Sequence, residues 1–489
     1  MGIVARQASK NAASILLGTI SGAVNTVLVL PLAFEGDEAQ WGLIKVMTGY
    51  ALVFAQFFHG GVSNAIIRFF PKLHESERSA FLGFAFLIPA FGAIALAAIL
   101  AFGGIDSLQL VNAKNANMLQ GHLVELLLLA TTLILFFSLY GYVSAILKTT
   151  VYQFLNEAFL KSWYLLVAVG FLFKLYDFNM LLLLYITGYV VALIVLLLYS
   201  FRHGFSLGWG KFSLSKREFT SYSIYSILDK GAGIVVNNLD ILMVGILIGL
   251  EDVAFYTLAF YIGAVTMIPQ KSILTIAYPL ASKAITEKNH TTLGSIYKNT
   301  SYIQLAAGCF IFIGVWVSID HVMELLPAKY GLGKWVVLWI GLSKLFNMAT
   351  GISGGILVFS EHYKLNFRLN LLLIVLSALT NYFFIHRGYL DWGITGAAFA
   401  TALTFATYNL LKVIYIQIHF KLTPFSTPYL GVILAALVMS LLYFWVPTEN
   451  PWLSIFIKSG IVSIAALALA KWTGLLDQIL NTLRGKASL

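Results

Sequence analysis

Apolar runs of about twenty residues or more alternate with short polar stretches along nearly the whole chain, from residue 11 to residue 471. About 20 apolar residues in an α-helix cross the hydrocarbon layer of a bilayer. A helix is also one of the two structures that satisfy every backbone polar group there. The pattern predicts fourteen spanning helices, over 11–34, 42–68, 80–103, 121–147, 153–175, 179–201, 219–248, 252–278, 299–320, 333–359, 365–386, 393–420, 427–446 and 452–471. The connections are short, the longer ones being 202–218 and 279–298. The predicted fold class is an all-α polytopic membrane protein. The first apolar run is long and lacks a small-residue cleavage site, so it is expected to be a retained helix.

Polar positions interrupt these runs at helical spacing. An ionisable residue inside a span is costly and usually faces the bundle interior or a water-filled cavity. At 100° per residue, Ser226, Asp229, Lys230, Gly233, Asn237 and Asp240 share one face of the seventh helix, and Asn238 points elsewhere. Asn11, Ser14, Gly18, Ser21 and Asn25 make an uncharged stripe on the first helix, a spacing that also serves close helix packing. The second helix carries Lys45, Thr48, Gln56, His59 and Ser63 on one face, and Lys45 has the alternative of snorkelling outward. Glu157 and Lys161 stand four residues apart, a spacing that permits an ion pair. Gln270 follows on the eighth helix, and Lys344 with Asn347 on the tenth. The candidate cavity residues are therefore Asn25, Gln56, His59, Lys161, Asp229, Lys230, Asn237, Asp240, Gln270, Lys344 and Asn347. Asp240 is the deepest acid, while Arg68 reads as an anchor at the membrane surface.

The chain also repeats itself. "GYVSAILKTTVYQFLN" (141–156) aligns with "GISGGILVFSEHYKLN" (351–366) at an offset of 210, and "ITG" occurs at 186–188 and 394–396. Trp41, Gly49 and Gln56 fall opposite Phe255, Gly263 and Gln270. The unit is six helices, so both copies cross the membrane in the same sense and are related by an axis along the membrane normal. Expected domains are a six-helix lobe over 1–201, a linker over 202–218, a second six-helix lobe over 219–420, and two further helices with a tail over 421–489.

Composition agrees with the membrane reading. The 489 residues are 59% hydrophobic and 11% charged, with mean hydropathy +0.85. Soluble domains carry about 25% charged residues. The net charge of +10 belongs to loops that set topology rather than to a nucleic-acid surface. Counted with the N-terminus inside, 21 of the 31 Lys and Arg lie in inner segments, Lys412 among them, and five in outer ones. That asymmetry favours both termini in the cytoplasm. The lone Cys309 rules out an internal disulfide. The histidines show no metal spacing, and no Gly-rich phosphate loop or nucleophile elbow occurs. No metal, cofactor or catalytic residue is expected, and an enzyme is disfavoured.

Two stretches, "GGVSNAIIRFFPK" (60–72) and "NNLDILMVGILIGLEDVAFYTLAF" (237–260), carry a resemblance over essentially the entire chain. It resembles the oligosaccharide flippases of the polysaccharide transporter family, within the multidrug/oligosaccharidyl-lipid/polysaccharide exporter superfamily. In that family the seventh helix carries an Asp matching Asp240, then a Gly-Tyr-like turn, which here reads Ala254-Phe255-Tyr256. The resemblance implies two six-helix lobes around a central cavity, and export of an undecaprenyl-pyrophosphate-linked oligosaccharide for surface polysaccharide such as O-antigen. Expected partners are that lipid-linked substrate, the bilayer, and H+ or Na+ as coupling ion, in the bacterial cytoplasmic membrane. Cations suit a pyrophosphate, and Tyr222, Tyr225, Tyr256 and Tyr261 suit sugars. The rival is a cation-coupled multidrug exporter of the same superfamily. A major-facilitator transporter would need a Gly-rich Asp-Arg loop after helix 2, where this chain reads "PKLHESERSA".

Overall fold

The computed structural model describes residues 2–103, 118–386, 389–425, 428–444 and 450–472, and those residues contain no β-strand. Among the described residues, eleven helices are long and apolar enough to span a bilayer. One bent pair, Ala328–Ala349 with Ser353–Phe359, and two shorter apolar helices, Gly233–Leu247 and Tyr429–Phe444, bring the number of apolar elements to fourteen. The chain is an all-α, multi-span membrane protein. It divides into two compact units, Met1–Ala254 and Phe255–Leu489.

Unit 1 opens with α1 (Gly2–Ala23), which continues through a π-helical stretch, Val24–Val29, to Ala33. Then come α2 (Glu38–Phe58), α3 (Val62–Phe69), α4 (Glu75–Gly103), α5 (Leu123–Ala145), α6 (Thr150–Leu172), α7 (Phe178–Arg202) and α8 (Lys216–Leu247). The division falls within α9 (Leu250–Ala264). By its contacts α8 belongs to this unit, although the repeat counts it as the first helix of the second copy.

The expected single span 42–68 is two helices. Gly60 and Gly61 adopt φ of +67° and +65°, a left-handed turn that only glycine takes without strain. Gly61 is also pressed against α8, where a Cβ would overlap the Ser223 carbonyl oxygen. Gly18 lets α1 touch the backbone of α6 at Glu157 in the same way. An aromatic core closes the basic end of the unit. Phe81 meets Phe219 edge-on at 5.5 Å, Phe70 meets Tyr142 at 5.5 Å, and the Tyr142 hydroxyl donates to the His203 carbonyl at 2.9 Å. Edge-to-face rings of this kind gain from the opposite charge of ring face and ring edge.

Unit 2 contains α10 (Ile268–Thr286), α11 (His290–Val317), the short α12 (Ile319–Glu324), α13 (Lys334–Ala349), α14 (Ser353–Phe359), α15 (Tyr363–Ile385), α16 (Gly393–Phe420), α17 (Pro428–Ser440) and α18 (Pro451–Trp472). The Asn289 side chain caps α11 by accepting from Thr292 N at 3.0 Å, which satisfies one of the orphan N–H groups of a helix start. Here too a predicted span is broken: 333–359 bends by 50° between α13 and α14. The break is at Gly351, with φ +52° and no room for a Cβ beside Ser301.

The two C-terminal helices are fastened to unit 2. The Tyr429 hydroxyl of α17 donates to the Ala349 carbonyl at 2.9 Å, and the Lys458 ammonium of α18 to the Tyr443 carbonyl at 3.3 Å. Near Tyr443, Lys334 Nζ sits 2.6 Å from both an Asp320 carboxylate oxygen and the Tyr443 hydroxyl, which itself donates to Asp320. Burial pushes the Asp320 carboxyl up. The Lys334 ammonium and the Tyr443 hydroxyl outweigh that and hold it below its ordinary value.

Candidate substrate site

In unit 2 the break between α13 and α14 gathers polar side chains from four helices. The Gln270 amide of α10 donates to Gln304 of α11 at 3.1 Å, and Asn347 of α13 donates to Gln270 at 3.5 Å. Thr350 donates to the Asn347 carbonyl at 2.9 Å and to Asn409 of α16 at 3.2 Å. The result is a buried chain of amides and a hydroxyl across α11, α10, α13 and α16. Gln304 Nε2 has spare donor capacity, being buried with no acceptor. A buried amide proton without a partner costs on the order of 1–3 kcal/mol. Such a group stands ready for a polar ligand.

Two lysines flank this chain, each one helical turn from an amide. Lys344, only 9% exposed, precedes Asn347, and its ammonium lies 5.0 Å from the Phe260 ring and 5.4 Å from the Phe405 ring. Lys412, 7% exposed, follows Asn409 on α16, and its ammonium lies 3.8 Å above the Tyr408 ring. Among the described residues, Lys412 has neither a carboxylate nor a hydrogen-bond acceptor as partner. A cation over an aromatic face recovers part of its lost hydration, about 2 kcal/mol at a desolvated site, whereas burial without a counter-charge costs several. Lys412 is therefore short of a counter-charge among the described residues.

This geometry brings Gln270, Lys344 and Asn347 together and adds three residues the sequence reading left out: Gln304, Asn409 and Lys412. The placement of Lys412 in an inner loop segment is corrected. It lies inside α16, eight residues before the helix ends at Phe420. The signal was present, because Asn409 and Lys412 are three residues apart within a stretch already read as helix.

In unit 1 the candidates fall into separate groups. Asn25 is buried in the π-helical stretch of α1, its side-chain Oδ1 without a hydrogen-bond partner among the described residues. Lys161 pairs with Glu157 at 2.9 Å on α6, as their spacing allowed, and Ser21 of the α1 stripe meets Ser162 at 2.9 Å. Gln56 and His59 lie at the α2–α3 break. There the His59 ring nitrogen Nδ1 is 2.8 Å from the Gln56 carbonyl, and the Gln56 side chain runs beside Gly231 of α8. Asn64 of α3 donates to Ser226 of α8 at 2.6 Å.

Along α8, Asp240 is buried, while Gly233 and Asn237 are exposed. Asn238 donates to the Ile234 carbonyl at 2.8 Å and lies against Gly49. The backbone of Asp229 and Lys230 is helical, and their side chains lie outside the described residues.

Comparison with known proteins fits this architecture. Residues 233–383 match the MatE family model. A curated relative from Haloferax volcanii, "Probable low-salt glycan biosynthesis flippase Agl15", is 24% identical over 234 residues. The match takes in 45% of this chain and 49% of the relative, so the chain spans about half the length of the curated relative it matches. Among solved structures, the lipid II flippase MurJ in an inward closed conformation superposes with TM-score 0.75, covering 95% of this chain and 99% of that one at 13% identity. An inward-facing multidrug resistance transporter of the MATE family superposes with TM-score 0.66, covering 83% and 94%, also at 13% identity. Many apolar spans with a polar site buried among them make a multi-span membrane protein, and its fold is similar to that of these flippase and transporter structures.

Proposed function

We propose that the chain is a flippase. It moves an oligosaccharide linked through pyrophosphate to a polyprenyl carrier across the bacterial cytoplasmic membrane, by alternating access of two six-helix lobes joined through 202–218. The single observation that carries this reading is the sign of the buried charge in unit 2. Among its described residues, the buried charged side chains are Lys344, Lys412 and Lys458, all cationic. Buried cations suit an anionic substrate, and Lys binds phosphate as a point charge. Amides and hydroxyls beside it suit sugar hydroxyls, and the polyprenyl tail stays in lipid. A flippase of lipid-linked glycan fits these demands, and the likeness to the haloarchaeal glycan flippase and to the lipid II flippase MurJ points the same way. H+ or Na+ is the proposed coupling ion, both termini lie in the cytoplasm, and the product serves surface polysaccharide such as O-antigen.

The second reading, a cation-coupled multidrug exporter, is favoured by one residue. Asp240 is a buried acid on α8, and the MATE likeness is consistent with it. Reconstituted proteoliposomes separate the two. The expected result is translocation of a polyprenyl-pyrophosphate-linked saccharide, with no ethidium movement under a Na+ or H+ gradient. Gradient-driven ethidium export without saccharide translocation would overturn the flippase reading.

A further inference from the structure

The candidate substrate site does not use a second cationic feature, in unit 1 where α3 ends and α8 begins. A pocket of about 670 Å3 opens there, lined by Arg68, Phe69, Ser215, Arg217, Glu218, Ser221 and Tyr222. The Arg68 guanidinium carbon lies 4.3 Å from the centre of the Tyr222 ring and 5.3 Å from that of Phe69. Those rings hold each other edge-on at 5.5 Å and 82°. The fork of Arg68 is therefore set in place by these rings, a rigidity that an exposed arginine lacks unless something holds it.

Among the described residues, neither Arg68 nor Arg217 makes an ion pair or hydrogen bond, and the hydroxyls of Ser215, Ser221 and Tyr222 make no hydrogen bond either. Glu218 is the one acid in the wall, and it too is outside ion-pair distance of both arginines. Lys72, over the Phe69 ring at 6.0 Å, and Lys216, over the Phe84 ring at 5.3 Å, raise the positive potential around the rim.

We infer that this pocket is a docking site for the phosphate of a membrane lipid, held by Arg68 and Arg217 with the hydroxyls of Ser215, Ser221 and Tyr222. Two planar guanidinium forks and three hydroxyls match the several acceptor oxygens of a phosphate, and arginine binds phosphate bidentately. The aromatic floor of Phe69 and Tyr222 takes the apolar part next to the headgroup. The pocket lies where α3 ends and α8 begins, with Lys72 and Lys216 beside it. Two lipids carry this chemistry: the polyprenyl diphosphate carrier and an anionic phospholipid. The first source rests on the flippase reading, and the second is independent of it.

The test uses the full-length purified protein, titrated separately with farnesyl diphosphate and with phosphatidylglycerol in mixed micelles, with phosphatidylcholine as the neutral control. The Arg68→Gln/Arg217→Gln variant is expected to lose at least tenfold in affinity for one anionic probe. The Arg68→Lys/Arg217→Lys variant should lose less, and phosphatidylcholine should be indifferent to both. Loss confined to farnesyl diphosphate assigns the pocket to the carrier, and loss confined to phosphatidylglycerol assigns it to the bulk lipid even if no flipping is detected. Unchanged affinity for both probes in the glutamine variant, or no binding by the wild type, overturns the inference. Arg217 is exposed and clear of the aromatic core, so Arg217→Gln alone, expected to lose at least threefold, keeps the test decisive if the double variant does not fold.

Discussion

Lys412 is held in a place that works against stability. Its ammonium is buried within a spanning helix, and the Tyr408 face is its partner among the described residues. Replacing a buried charge by an apolar side chain of similar shape is often stabilising by about 1–4 kcal/mol. Methionine keeps the length and removes the charge, so Lys412→Met is expected to raise the thermal unfolding temperature while lowering saccharide translocation at least tenfold. Thermal unfolding and proteoliposome assays on the same preparation check this. A variant that is both destabilised and fully active would mean that Lys412 is a structural cation. The residue was half legible. Its helix was predicted, yet its nearness to a basic loop drew it into the loop tally, because linear distance along a chain does not report depth. Lys344 was easier to read, since it stands ten residues inside the start of α13. Gln304 gave no signal, because an isolated glutamine in an apolar helix is informative only once its partner Gln270 is known to face it.

At the scale of elements, span positions were legible and their interruptions were not. Hydropathy counts apolar residues over a window and is blind to a three-residue turn inside it. Hence 42–68 and 333–359 read as single helices, although each contains a glycine with positive φ. "GG" at 60–61 was visible, but an isolated glycine pair in an apolar run also serves close helix packing. The α1 stripe was read from its spacing, yet the π-helical stretch holding Asn25 has no sequence rule behind it. The repeat equivalents Gln56 and Gln270 are both buried, consistent with corresponding places in two copies. The α2–α3 turn makes a quantitative comparison possible. Gly36 and Gly61 both have positive φ, at +89° and +65°, but a Cβ at Gly36 meets open space while one at Gly61 overlaps the Ser223 carbonyl. Gly36→Ala is expected to cost about 1 kcal/mol from backbone strain. Gly61→Ala adds steric overlap worth a further 1–3 kcal/mol or so. Thermal unfolding of the two variants checks the order, and equal losses would show that α8 shifts away from α3 without resistance.

For the whole molecule, the charge asymmetry of the loops and the parity of the spans must agree. Lys and Arg on the cytoplasmic side fix orientation during insertion, and an even number of spans returns the chain to the side where it began. If the fourteen apolar elements among the described residues all cross, basic residues in alternate connections are expected to give the chain one orientation, which two positions can test. Lys216 lies in the basic stretch 202–218 and begins α8, and Lys174 occupies the exposed turn between α6 and α7. One spanning helix, α7, separates them. In a Cys309→Ala background, which removes the native thiol, Lys174→Cys should react with a membrane-impermeant maleimide in intact cells. Lys216→Cys should react only after permeabilisation. The reverse pattern would invert the molecule and place the Arg68–Arg217 pocket on the outer leaflet, where it would receive a lipid after translocation instead of before. Labelling of both positions from one side would mean that α7 does not cross, and the even count on which the repeat and both termini depend would fail with it.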